Sequence, residues 1–134
     1  MSEQEYLDLF REAKSDLLCG EASTNYLYSR VAAKEIQAFA PNAKIILILR
    51  EPISFLESYH LELLKIMLRT EAETVKNFEK AFTLESARKA GRKLPKKHEI
   101  PELLYYSERV KYLEQIKRFY QYFGEDRVKI IIYD

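Results

Sequence analysis

Arg50 closes a run of five apolar residues, Ile45–Leu49, and stands two positions before Pro52 and eight before Ser58. The run is β-branched and apolar without alternation, which suits a parallel strand covered on both faces. Pro52 suits the first turn of a helix, where its missing N–H costs nothing. In open α/β sheets, ligands bind beyond the carboxyl ends of the strands. A helix that begins there offers free N–H groups and a partial positive charge, so it favours anions. An arginine at that place stays protonated and can grip a phosphate with two parallel hydrogen bonds. Ser58 lies about one and a half turns into the helix and could reach back toward the same anion. The plainer alternative is a solvated charge and a helix-surface serine.

Other residues could carry chemistry. Glu21 lies in "CGEASTNYLYS" (Cys19–Ser29), a loop expected near the strand ends. It could act as a base or contact a substrate, or it could be a helix-cap or surface carboxylate. His60 falls on or near the apolar stripe of its helix, which favours a packed, hydrogen-bonded histidine over a general base. His98 sits in a basic loop. Arg88, Lys89, Arg92, Lys93, Lys96 and Lys97 place six positive charges in a short span without an acid. A solvated loop is the simpler reading, and a clamp over an anionic ligand is the other. Aromatic residues are not interleaved with these charges, so the span does not resemble a nucleic-acid surface. No His, Cys or carboxylate spacing matches a zinc or calcium site, and no metal is expected.

The elements that must position these groups follow from periodicity. Apolar positions Tyr6, Leu7, Phe10, Ala13, Leu17 and Leu18 predict a helix over Glu3–Leu18, passing into a short strand or extended turn at Leu17–Cys19. Ser29 can cap a helix over "RVAAKEIQAFA", with Val31, Ala32, Ile36 and Phe39 on its face. The helix from Pro52 carries Ile53, Leu56, His60, Leu63, Leu64, Met67 and Leu68. A further helix is predicted over Ala72–Ala90, with Val75, Phe78 and Phe82 inward, before the basic loop Gly91–Pro101. Tyr106–Phe123 is the longest periodic segment, and Gly124 is a suitable stop. "RVKIIIYD" closes the sequence as a second apolar strand.

The 134 residues, 47% hydrophobic and 32% charged with a net charge of +1, describe one globular domain and give no electrostatic argument for nucleic acid. Cys19 is the only cysteine, which excludes an internal disulfide and fits a reducing, cytoplasmic setting. No apolar run has the length of a signal peptide or a membrane span. Alternating strands and helices predict an α/β fold with a short parallel sheet. Two strong strands are few, because sheets usually hold about four to six. The expectation is therefore a piece of a larger α/β domain, or a domain that self-associates through open sheet edges.

"KIILILREPISFLESYH" resembles the 3′-phosphate-binding segment of sulfotransferases that use 3′-phosphoadenosine 5′-phosphosulfate (PAPS). In that family a strand leads into Arg-x-Pro, and a serine follows the arginine by eight positions, as Arg50, Pro52 and Ser58 do here. Tyr59 matches the common aromatic after the serine. Phe55 stands where many members carry a second arginine. "GEASTNYLYS", "NFEKAFTLESARKAG" and "YYSERVKYLEQIKRFYQYFGEDRVKIIIYD" are similar to the bacterial branch, in the same order. The resemblance implies a P-loop-NTPase-like sulfotransferase fold, with Arg50 and Ser58 on the cofactor's 3′-phosphate. It also implies acceptor contacts from the Gly-Glu-x-Ser segment, at Glu21, Ser23 and Tyr26.

The family's phosphosulfate loop carries a catalytic lysine, and none of Gly20, Gly91 and Gly124 sits in a Lys-x-Gly-Thr/Ser setting. The resemblance thus implies the central part of a sulfotransferase domain, without the N-terminal phosphosulfate loop and the C-terminal segment. The full enzyme would transfer a sulfuryl group from PAPS to a hydroxyl or amine, releasing adenosine 3′,5′-bisphosphate (PAP). This chain would hold half of the cofactor site and be inactive alone. The alternative is a non-catalytic α/β module that binds nucleotides or self-associates.

Overall fold

The two apolar runs pair. Strand β1 (Ile45–Arg50) and strand β2 (Val128–Tyr133) form a parallel two-stranded sheet, with Ile45 opposite Val128 and Arg50 opposite Tyr133. The computed structural model describes residues 2–14, 18–70, 73–96 and 100–133, with the backbone alone over 66–70. Seven α-helices are described: α1 (Glu3–Asp8), α2 (Ala32–Phe39), α3 (Pro52–Thr70), α4 (Phe78–Thr83), α5 (Glu85–Lys89), α6 (Tyr106–Arg109) and α7 (Tyr112–Phe123). Short 3₁₀ turns at Pro101–Leu104 and Glu125–Arg127 precede α6 and β2. The α/β class expected from the sequence is the class observed.

Side chains alternate across a strand, so the sheet has two distinct faces. One face packs Leu47 and Val128 on Ala33 of α2 and on Phe119 and Phe123 of α7. Gly124 ends α7 with φ 73°, a conformation that favours glycine, and its N–H reaches the Tyr120 carbonyl at 2.9 Å. The other face is bare among the described residues. Ile46 is 63% exposed and Ile48 66% exposed, with Ile131 and Tyr133 exposed beside them. Among the described residues the covering expected for β1 is present on one side only.

A second core lies away from the sheet, where Leu56 and Leu63 of α3 meet Ala81, Leu104 and Tyr106. It is built around a buried charge pair. Arg88 Nη1 and Nη2 donate to Glu73 Oε2 and Oε1 at 2.7 and 2.8 Å, and both residues are fully buried. Tyr106 Oη donates to Glu73 Oε2 at 2.7 Å, and the Thr74 and Val75 N–H groups donate to Oε1. His60 joins through Tyr106 Oη at 2.9 Å and the Lys76 carbonyl at 3.1 Å. The packed histidine expected from the stripe is found. Arg88, by contrast, leaves the basic run expected to be solvated, because its guanidinium is the counter-ion of Glu73. Lys89 is also engaged, bridging Glu85 and Glu108 at 2.7 Å each. Lys97 and His98 lie outside the described residues.

Three predicted helices are shorter than their periodicity. α1 stops at Asp8 because the next backbone bonds run three residues back rather than four, from Phe10 to Leu7 and from Ala13 to Phe10. Leu18 is 95% exposed, and neither it nor Cys19 forms a strand; Leu17 lies outside the described residues. Of the helix predicted over Ala72–Ala90, Ala72 lies outside the described residues, and from Glu73 onward the helix begins at Phe78, capped by Asn77, because Glu73 turns its carboxylate onto the N–H groups of Thr74 and Val75. Tyr106–Phe123 is broken at Val110–Lys111. Gln115 Nε2 donates to the Glu108 and Arg109 carbonyls, satisfying the end of α6 so that α7 starts afresh.

Burial opposes the charge on Glu73, but Arg88, the Val75 N–H and Tyr106 outweigh it and hold the carboxyl below its ordinary value of 4.5. A lowered folded-state pKa gives stability that is complete above the unfolded value and is lost as pH falls through the folded one. Glu73→Gln is expected to destabilise by about 3–5 kcal/mol, because it leaves Arg88 buried without its counter-ion. It should also flatten the loss of stability below about pH 4.5, which urea titrations across pH would read. Equal wild-type and variant midpoints at neutral pH would rule out this pair as the centre of the second core.

Candidate functional site

β1 ends in Arg50, one residue passes, and α3 begins at Pro52, as the Arg-x-Pro spacing predicts. The Arg50 side chain is exposed and makes no hydrogen bond or ion pair with another described residue. Ser58 is exposed on the second turn of α3. Arg50 is thus open to solvent at the carboxyl end of the sheet, where a ligand can be met, and Ser58 is open to solvent on the helix that follows.

The start of α3 itself is already occupied. Glu51 accepts from the Ile53 N–H at 3.0 Å and from the Ser54 N–H at 2.7 Å. The Ser54 N–H, then the Ile53 N–H and the nearby Arg50 charge hold its carboxyl below the usual range. The helix N-terminus invoked for an external anion therefore carries one supplied by the chain. The sequence signal was Glu51 itself, the residue between the arginine and the proline.

Glu21, Ser23 and Tyr26 come together in the loop before α2. Tyr26 Oη donates to Glu21 Oε1 at 2.9 Å, and this carboxylate is first among the causes that raise the Tyr26 phenol above its ordinary value. Ser23 Oγ accepts from the Asn25 N–H at 3.3 Å, which fixes the following turn. Ser29 Oγ accepts from the Val31 and Ala32 N–H groups and launches α2. Glu21 and Ser23 are exposed, and Tyr26 is half-buried.

Arginines from α6 and α7 tie this loop to the rest of the molecule. Arg118 Nη2 donates to the Leu27 and Tyr28 carbonyls at 3.2 Å each. Arg109 Nη1 donates to Asn25 Oδ1 at 3.3 Å, and its guanidinium lies over the Tyr28 ring at 3.8 Å and the Tyr59 ring at 4.9 Å. Tyr59 follows Ser58 on α3, so Arg109 links the loop of Glu21, Ser23 and Tyr26 to the helix of Ser58. Burial pushes the Tyr59 phenol up to about 12, while the neighbouring Arg109 charge pulls it down. Beside this junction a polar cleft of about 40 Å³ is lined by Tyr28, Arg30, Glu108, Lys111, Glu114, Gln115 and Arg118. Neither Arg109 nor Arg118 was singled out from sequence, because both fall within a helical periodicity that reads as ordinary surface charge.

The geometry is that of an α/β domain with an open cationic group at a strand end and a polar loop tied by Arg109 to the helix that follows that strand. The chain is similar to a solved sulfotransferase from Alicyclobacillus acidocaldarius, with 30% sequence identity and a TM-score of 0.77. The match covers 98% of this chain and 48% of that one, so the chain spans about half the length of that sulfotransferase. No family model and no curated protein matches the sequence. Among the described residues no helix is long and apolar enough to cross a membrane.

Replacing Glu51 tests the occupied helix start. Glu51→Ala is expected to speed hydrogen exchange at the Ile53 and Ser54 amides and to strengthen binding of inorganic phosphate near Arg50. Both are readable by NMR, and unchanged exchange at these amides would show that Glu51 does not cap α3.

Proposed function

We propose that this chain is the cofactor-anchoring part of a sulfotransferase domain, with Arg50 and Ser58 holding the 3′-phosphate of PAPS. The observation that carries this is Arg50. It stands unpaired among the described residues at the carboxyl end of a parallel strand, immediately before a Pro-started helix. The likeness in fold and sequence to a sulfotransferase supports the reading. The donor groups suit a phosphate: a guanidinium supplies two parallel N–H bonds and a hydroxyl supplies a third. The backbone N–H groups of Ile53 and Ser54 do not join them while Glu51 holds them, which lays the affinity on the two side chains.

PAPS supplies an activated sulfuryl group whose transfer releases PAP. Arg50 and Ser58 would orient the nucleotide, and Glu21, Ser23 and Tyr26 would face the acceptor, a hydroxyl or an amine. The Glu21–Tyr26 hydrogen bond gives that loop a defined polar edge. None of the three glycines lies in a Lys-x-Gly-Thr/Ser setting, so on this proposal Arg50 and Ser58 hold the cofactor without acting on the sulfate. The bare outer face of the sheet supports the same proposal, since parallel strands are ordinarily buried on both faces.

Calorimetric titration with PAP tests this reading. Arg50→Ala is expected to weaken binding by about tenfold or more and Ser58→Ala by less, as expected for losing a charged or a neutral hydrogen bond. Equal affinity of wild type and Arg50→Ala would overturn the assignment. In a sulfation assay the chain alone should give no turnover. Turnover would show that the transferring residues lie within it.

A further inference from the structure

Two arginines are buried on α5 and α6, and their surroundings differ. Arg88 has Glu73 as a bidentate counter-ion. Arg109 is 7% exposed, yet no carboxylate among the described residues lies within ion-pair distance of it. Among the described residues its side chain donates to Asn25 Oδ1 at 3.3 Å and also interacts with the Tyr59 phenol, while its Nε is buried without a partner. A buried charge is ordinarily paired, and a buried N–H is ordinarily satisfied.

The two tyrosines supply part of what is missing, but neither is a counter-ion. Tyr28 and Tyr59 lie over the guanidinium and attract it through their π faces. The five N–H groups of a guanidinium point outward in its own plane, away from rings stacked on it. Arg109 is therefore held against two aromatic rings while its Nε–H has no partner among the described residues. That is the presentation that suits a bidentate oxyanion. The other two buried side-chain atoms without partners among the described residues, Gln115 Oε1 and Arg118 Nε, belong to the same junction. Gln115 bonds the Arg109 carbonyl, and Arg118 bonds the loop that carries Tyr28.

We propose that Arg109 is a second oxyanion receptor, for a sulfate, phosphate or carboxylate group held between the Asn25–Tyr28 loop and α3. It is separate from the Arg50–Ser58 pair, and it rests on the burial and partners of Arg109 rather than on the sulfotransferase reading. A ligand bound there would bridge the loop of Glu21, Ser23 and Tyr26 and the helix of Ser58.

The test is NMR observation of the arginine Nε–H signals of the full 134-residue chain, with the Arg109 signal assigned by its loss in Arg109→Lys. Sodium sulfate should move the Arg109 signal saturably, and sodium chloride at equal ionic strength should not. Arg109→Lys keeps the charge but loses the fork, and sulfate affinity at this site should fall by about tenfold or more. PAP is the second probe, applied to wild type and to Arg50→Ala. If PAP moves the Arg109 signal and Arg50→Ala abolishes that shift, the oxyanion comes from the nucleotide. If sulfate moves it where PAP does not, the oxyanion belongs to another ligand. Should Arg50→Ala leave PAP affinity unchanged while sulfate still moves Arg109, the cofactor reading fails and this one stands. A wild-type Arg109 signal that ignores both sulfate and PAP overturns the proposal without depending on any variant.

Discussion

A carboxylate with no exposed surface must be neutralised by whatever packs around it, and Glu73 organises the second core on that requirement. It takes Arg88 from α5, Tyr106 from α6 and two backbone N–H groups from its own segment, while His60 of α3 closes the circle through Tyr106. Every one of these side chains is buried, so each must stay where the others need it. The consequence reaches the candidate site. Ser58 and Tyr59 precede His60 on α3, and Arg109 follows Tyr106 on α6. One buried polar network thus fixes the spacing between the helix that presents Ser58 and the helix that presents Arg109. The local helical turns would not do so alone, since α5 and α6 are too short to be stable without tertiary packing.

Electrostatics at the start of α3 follows a different logic. The partial positive charge of a helix start is equivalent to about half an elementary charge and fades within the first turn. Glu51 brings a full negative charge to the same N–H groups and sits beside Arg50 in sequence. The field an incoming phosphate meets is then set by Arg50 against Glu51, rather than by Arg50 added to the helix. Selectivity at such a place comes from the directed N–H groups of the guanidinium and from Ser58, because a bare excess of positive charge is lacking.

What was legible in the sequence was what periodicity and strand chemistry encode locally. Ile45–Arg50, the Pro52 start, the Gly124 stop and the parallel pairing with Val128–Tyr133 all follow from apolar runs and backbone rules. What was hidden depended on partners distant in sequence. Arg88 read as one more cation of a basic run because its counter-ion stands fifteen residues earlier, at the head of a segment that read as helical. Arg109 and Arg118 read as helix surface because their partners, Asn25, Tyr28 and Leu27, lie in a loop more than eighty residues away. The break at Val110–Lys111 was invisible for the same reason that it is stable: a Gln115 side chain replaces backbone bonds, and periodicity carries no record of that. The candidate residues Glu21 and Tyr26 were named singly, and their mutual hydrogen bond was not foreseen.

The alternation of side chains along β1 joins the bare sheet face to the proposed phosphate site. Ile46, Ile48 and Arg50 share one side of the strand, and Lys129, Ile131 and Tyr133 stand opposite them on β2. The buried side holds Leu47 and Val128 against α2 and α7. Arg50 therefore leaves the sheet on its uncovered side, at the rim of an apolar surface. Any segment packed over Ile46 and Ile48 would lie next to Arg50 and Tyr133 and would remove water from around the guanidinium. An ion pair that is weak in water strengthens as its surroundings lose water. Covering the outer face would then strengthen the proposed grip of Arg50 on a phosphate, because the same strand presents both.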